Sequence, residues 1–163
     1  MRNYQSRSSG LVKVITVGTF LVLLVVALVL IFVEKRLLNI SGALLLGFIL
    51  ASIFYFWSQS IKEILLSDTE LILKKNIGRI SISINEIERV VSLEYADIPM
   101  TIGSRGVFGF IGRTMDDSRS YVKDRKEMVQ IVTSRRKYLI SCEDSKDLVK
   151  RVHENLIENS LLG

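Results

Sequence analysis

Val14–Val33 reads VITVGTFLVLLVVALVLIFV and Leu37–Trp57 reads LLNISGALLLGFILASIFYFW; only Glu34, Lys35 and Arg36 stand between them. Neither run contains a charge. At about 1.5 Å per residue each helix would span roughly 30 Å, the hydrocarbon thickness of a bilayer. Both runs are apolar all round, unlike the one-sided stripe of a water-soluble helix. A cleaved signal peptide would have a shorter apolar core and end at a small-x-small site, whereas the first run ends Leu30-Ile31-Phe32-Val33-Glu34. The expectation is a transmembrane hairpin over residues 14–57, with antiparallel helices at 14–33 and 37–57. Residues 1–13 precede it as a cytoplasmic segment.

Working outward, the charge follows the same boundary. Of the net +5, most sits beside the apolar runs: Arg2, Arg7, Lys13, Lys35 and Arg36 face only Glu34. From Ser58 onward 17 cations face 16 anions, so the basic balance is not a nucleic-acid footprint and no nucleic-acid partner is expected. Cations near the helix ends, with Lys62, Lys74 and Lys75 after the second, place both termini on the cytoplasmic side of a cell inner membrane. Tyr55 and Trp57 suit an aromatic belt where the second helix leaves the lipid. Ala43, Gly47 and Ala51 recur every four residues along that helix, a face on which another helix can pack closely. That neighbour is either the first helix or a second copy of the chain.

Beyond Trp57 the pattern changes. Residues 58–66 read as a short amphipathic helix, with Ile61, Ile64 and Leu65 on one side. Strands are expected at Glu70–Lys74, Arg79–Ile84, Ile87–Glu94, Ser120–Lys123, Glu127–Thr133 and Lys137–Ser141, with turns at Asn76-Ile77-Gly78 and Ser134-Arg135-Arg136. The chain closes on a helix over 144–159. Glu143 or Asp144 can cap it, and Leu148, Val149, Val152 and Leu156 share one face. Antiparallel strands followed by one amphipathic helix suit a small barrel or bent sheet with a plugged end.

Four segments carry a family resemblance: Leu66-Ser67-Asp68-Thr69-Glu70-Leu71, Ile84-Asn85-Glu86-Ile87, Gly106-Val107-Phe108-Gly109-Phe110-Ile111-Gly112, and Tyr138-Leu139-Ile140-Ser141-Cys142-Glu143-Asp144. With two preceding membrane helices and a single C-terminal helix, the chain resembles the bacterial pleckstrin-homology (PH)-like proteins over roughly residues 60–158. The resemblance implies an α+β, mainly β fold: a PH-like barrel of about seven antiparallel strands capped by one C-terminal helix, and a binding module rather than an enzyme. The seventh strand would lie at Tyr95–Ile102 or around Val107–Ile111.

Gly103, Gly106, Gly109 and Gly112 recur every three residues, but neither phosphate-binding glycine pattern is present. They describe an irregular turn whose apolar residues dock on the domain, on a partner or on a lipid surface. The candidate contacts are Arg105, Val107, Phe108, Phe110 and Arg113, with Lys75 and Arg79 on the Lys74–Arg79 hairpin. That hairpin lacks the second cation two positions before Arg79 that inositol-lipid sites of eukaryotic PH domains carry. A diluted basic cluster (Arg105, Arg113, Arg119, Lys123, Arg125, Lys126, Arg135, Arg136 and Lys137) could meet an anionic leaflet. His153, Cys142 and the Asp116-Asp117 pair assemble no nucleophile, base or metal-ligand set, so no cofactor is expected. Three functions follow: a membrane-held module for a protein partner, a sensor of anionic headgroups, or a structural subunit of a membrane complex.

Overall fold

The computed structural model describes residues 2–32, 40–95 and 97–162. The Glu34-Lys35-Arg36 connection lies outside them. Helix α1 runs Gly10–Phe32 and helix α2 Ile40–Gln59. Helix α1 starts four residues before the uncharged run because Ser9, not the end of the charges, sets its beginning: the Val12 N–H donates to Ser9 Oγ at 3.3 Å. Both helices are long and apolar enough to cross a bilayer, and their apolar side chains are overwhelmingly exposed.

Ten strands are present among the described residues: β1 Arg2–Gln5, β2 Ile61–Leu66, β3 Glu70–Lys75, β4 Arg79–Ser83, β5 Ile87–Leu93, β6 Met100–Arg105, β7 Phe110–Thr114, β8 Arg119–Val122, β9 Met128–Thr133 and β10 Lys137–Ser141. Helix α3 spans Ser145–Leu162. Two sheets form, ordered β1-β2-β3-β4 and β5-β9-β10-β8-β7-β6. They remain two open sheets rather than a closed barrel. All pairs are antiparallel except β8 with β10, because β10 inserts between β9 and β8. The two proposed places for a seventh strand each overlap one strand only at their ends, β6 at Met100–Ile102 and β7 at Phe110–Ile111, and the two strands pair as a hairpin.

Residues 61–66 are a strand, not a helix. A bulge between Ile61 and Glu63 shifts the register by one, so Ile61, Ile64 and Leu66 all turn inward. The spacing of three between Ile61 and Ile64 imitates a helical face although the backbone is extended, and Leu66, not Leu65, is the third residue turned inward. Strand β1 was not expected at all: it pairs with β2 in the register Asn3↔Leu65, Tyr4↔Ile64. The strand before the two helices and the strand after them are therefore neighbours in one sheet.

The main core lies between the sheets and is completed by Leu148 and Val152 of α3. At about 25 cal/mol per Å², each buried aliphatic side chain there contributes roughly 1.5–3 kcal/mol. The opposite face of the six-stranded sheet carries a second core of Ile98, Met100, Phe110, Val122, Met128 and Leu139, and Val12 from the first turn of α1 is fully buried in it. The start of α1 is thus part of the domain's packing. Tyr4 adds a polar tie, donating its hydroxyl to Asp147 on α3 at 2.7 Å. Burial, then that carboxylate, pushes the Tyr4 phenol up to about 12.

Candidate functional site

Two hairpin turns grip the feet of the two helices. The first joins β6 to β7. Its turn is closed by Gly106 N–H donating to the Gly109 carbonyl at 3.0 Å and by Ser104 Oγ donating to the Val107 carbonyl at 2.7 Å. Gly106 has φ +115°, and a Cβ there would lie 2.6 Å from Cδ1 of Ile15. Only glycine lets α1 rest on this backbone. Next to it the Phe108 N–H donates to Thr16 Oγ1 at 2.9 Å, and that hydroxyl donates on to the Val12 carbonyl at 2.7 Å. The Phe108 ring meets Phe20 edge-on at 6.0 Å.

This geometry redirects several expected contacts. Phe108 is half-buried against α1, and Phe110 is buried in the second core with the Arg125 guanidinium 5.0 Å from its ring centre. Neither is an exposed aromatic awaiting a partner or a lipid. Val107 is half-buried, and exposed Arg105 donates to the Met100 carbonyl at 2.6 Å. Arg113 is exposed and pairs with Asp117 at 2.6 Å.

The second turn joins β3 to β4 and grips the end of α2. Asn76 N–H donates to the Ser60 carbonyl at 2.9 Å, Ile77 N–H to the Ser58 carbonyl at 3.1 Å, and Asn76 Nδ2 to the Trp57 carbonyl at 2.9 Å. Lys75 Nζ donates to Gln59 Oε1 at 2.9 Å. Burial, reinforced by the charge of Arg119, lowers the Lys75 pKa. Lys75 is half-buried and engaged by Gln59, while Arg79 stands exposed at the start of β4.

Between the two grips lies a cleft of about 290 Å³, bounded by Tyr55 and Gln59 of α2, Ile102 of β6, Arg113 of β7, and Arg119 and Tyr121 of β8. Burial raises the Tyr121 phenol pKa, opposed by a hydrogen bond with Arg119. Gln59 and Tyr121 were not singled out from the sequence, and Arg119 only as one cation of the diluted basic cluster. No local signal joins them, since Gln59 ends α2 and Arg119 and Tyr121 lie on β8, and they meet only in the folded chain.

The small-residue stripe of α2 is placed differently from the first of its two expected roles. Ala43, Gly47 and Ala51 are exposed, and a Cβ on Gly47 would meet nothing within 4 Å. The side of α2 toward α1 carries Leu45, Leu46, Ile49 and Ile53, which line an apolar groove with Phe20 and Leu24. The stripe itself is exposed, and it is not among the residues that line this groove.

The chemically suggestive side chains stand apart from one another. Cys142 is buried, and burial, with nearby carboxylates, pushes its thiol up to about 12, away from reactive thiolate character. His153 is exposed on α3, its Nδ1 2.9 Å from the Val149 carbonyl. Asp116 braces the β7–β8 turn, accepting from the hydroxyls of Thr114 at 2.6 Å and Ser118 at 2.7 Å. Among the described residues no three His, Cys, Asp or Glu side chains cluster as a metal site.

No curated protein and no solved structure matches the chain. The pattern of the Bacterial PH domain family matches residues 62–156, more than half of the sequence and the whole run from β2 into α3. This chain belongs to the Bacterial PH domain family.

Proposed function

We propose that this protein is a membrane-anchored, non-catalytic interaction module that holds a PH domain against the lipid surface. The observation that carries this is the pairing of β1 with β2 on either side of the helical pair. Helices α1 and α2 leave and return through one face of the domain, and both feet are gripped. Their exposed Val, Leu and Phe side chains require a lipid surrounding, since water would penalise each by kilocalories. Arg2, Arg7, Lys13 and Lys62 flank the helices on the domain side, which the positive-inside rule assigns to the cytoplasm of a cell inner membrane. Such tethering raises the module's effective concentration toward partners in the same membrane.

A protein partner would engage the groove of about 460 Å³ between the end of β5 and the start of α3, lined by Ser92, Tyr95, Lys126 and Asp147. Strand β5 is a sheet edge, so an extended peptide laid there could add backbone hydrogen bonds. The test uses membranes containing the full chain. The protein should stay in the pellet after washing at about pH 11, and release would remove the anchor. A photo-crosslinking residue at Tyr95 should give one defined protein adduct that the same residue at Arg79, on edge strand β4 of the other sheet, does not. Identical adducts at both positions, or none, would remove the groove as the partner site.

A further inference from the structure

We propose that the cleft at the foot of α2 receives the phosphate group of an anionic phospholipid from the adjoining leaflet. This rests on the membrane-anchored reading and names a ligand for it. The first support is charge. Arg119 lines the cleft, and Lys75 reaches its edge through Gln59. Among the described residues no carboxylate pairs with either cation, while Arg113 is matched by Asp117 and Asp116 is occupied by two hydroxyls. Lys75 is bonded to Gln59, which lines the cleft together with Arg119, and burial, then the charge of Arg119, acts against its protonated form. An anion bound in the cleft would ease both.

The second support is shape. Gly103 and Gly112 face each other across β6 and β7, both at positive φ. Both line the cleft and offer it bare backbone, since the close approach of β6 and β7 leaves no room for a Cβ at either position. Its volume lies near the lower bound for ligand cavities, roughly 300–1,000 Å³.

The third support is depth and lining. The cleft opens beside the last turn of α2, where Phe54, Tyr55 and Trp57 are exposed as an aromatic group of the kind that sits at headgroup level. Tyr55 can donate its hydroxyl to a phosphate oxygen. Ile102, 72% exposed on the rim, offers an apolar surface to the glycerol and upper acyl chain. Cations, hydroxyls and one greasy wall together fit a lipid phosphate better than a free one.

The full chain, reconstituted in nanodiscs of phosphatidylcholine, carries one tryptophan, Trp57, at the foot of α2. Spin-labelled phosphatidylglycerol should quench Trp57 fluorescence more strongly than spin-labelled phosphatidylcholine at equal mole fraction. The preference should fall roughly fivefold for each cation removed by Lys75→Gln and Arg119→Gln, and stay unchanged with Lys146→Gln and Lys150→Gln on α3. Equal quenching by both lipids in the wild-type chain, or a preference that survives the double substitution, overturns the assignment. Loss of the preference in millimolar inorganic phosphate, with chloride at equal ionic strength having no effect, assigns the site to free phosphate and overturns the lipid source. Failure of the chain to enter nanodiscs would instead strike at the anchored reading itself.

Discussion

The two turns that hold the helices do so by different physics. The β3–β4 turn grips α2 largely through main-chain groups: Asn76 and Ile77 donate to carbonyls of Ser58 and Ser60, with the Asn76 amide adding one bond to Trp57. The β6–β7 turn grips α1 through side chains and their absence: bare Gly106 under Ile15, Thr16 bonded to the Phe108 N–H, and Phe20 against the Phe108 ring. A main-chain grip tolerates substitution, since most residues supply the same N–H and C=O. A packing grip is brittle because volume must match. The α1 foot should therefore be the sensitive half of the junction.

The largest effect should come from removing residues 1–57. That deletion exposes the β2 edge and takes Val12 out of the second core. The remaining domain should lose its cooperative thermal transition and fixed aromatic circular dichroism. A cooperative melt like that of the full chain would show that the domain does not need the α1 foot. Next comes Gly106→Val, which forces a β-branched residue into positive φ and against Ile15. Together these cost on the order of 3 kcal/mol, read as a fall in unfolding midpoint in detergent.

Thr16→Val keeps the shape but leaves the Phe108 N–H without its acceptor, and should cost about 1–2 kcal/mol. Asn76→Ala, its counterpart at α2, removes one exposed bond and should cost about 0.5 kcal/mol. Equal losses from this pair would erase the contrast between the grips.

The smallest change at neutral pH is a slope. Lys123 lies under the α1 junction, accepting the Ser9 N–H at its carbonyl and donating Nζ to the Ser6 carbonyl. Burial lowers its pKa to about 8. Between pH 8 and the ordinary lysine value the unfolded chain then binds more protons than the folded one, so this group adds stability as pH rises through that window. Cys142 and Tyr4, both raised to about 12, act in the opposite sense at higher pH. The difference between wild type and Lys123→Met isolates the lysine. It should grow in favour of wild type from pH 8 to 10, and a flat difference would place Lys123 in water.

Much of the architecture was legible in the residues, for identifiable reasons. Uncharged runs of bilayer length declare the helices whatever surrounds them. The alternation at Arg79–Ile84 declares β4, and its pairing with β3 follows from the short turn. Strand β2 was hidden by its bulge, which replaces period two with a helix-like spacing. Strand β1 was hidden because only Tyr4 of its four residues is buried, and one apolar position makes no period. The glycines at 103–112 marked a constrained backbone correctly but not its purpose, which depends on a helix about 90 residues away. The cleft was legible only as ingredients. Tyr55, Lys75 and Arg119 each stood out for aromatic or basic character, yet their meeting depends on how β3, β8 and α2 are brought together.

The central claim is that the strand before the helices pairs with the strand after them. The most direct measurement is disulfide formation in the full chain with Cys142→Ser, Gln5→Cys and Glu63→Cys, two positions directly opposite in the β1–β2 register. Opposed antiparallel residues have Cα atoms about 4.5–5.5 Å apart, within disulfide reach. Mild oxidation in the membrane should close this bond nearly completely, and much faster than between Gln5→Cys and Leu65→Cys. No bond at the opposed pair, or equal rates for the two pairs, would mean that β1 is not in the sheet and that the helices and the domain do not form one unit.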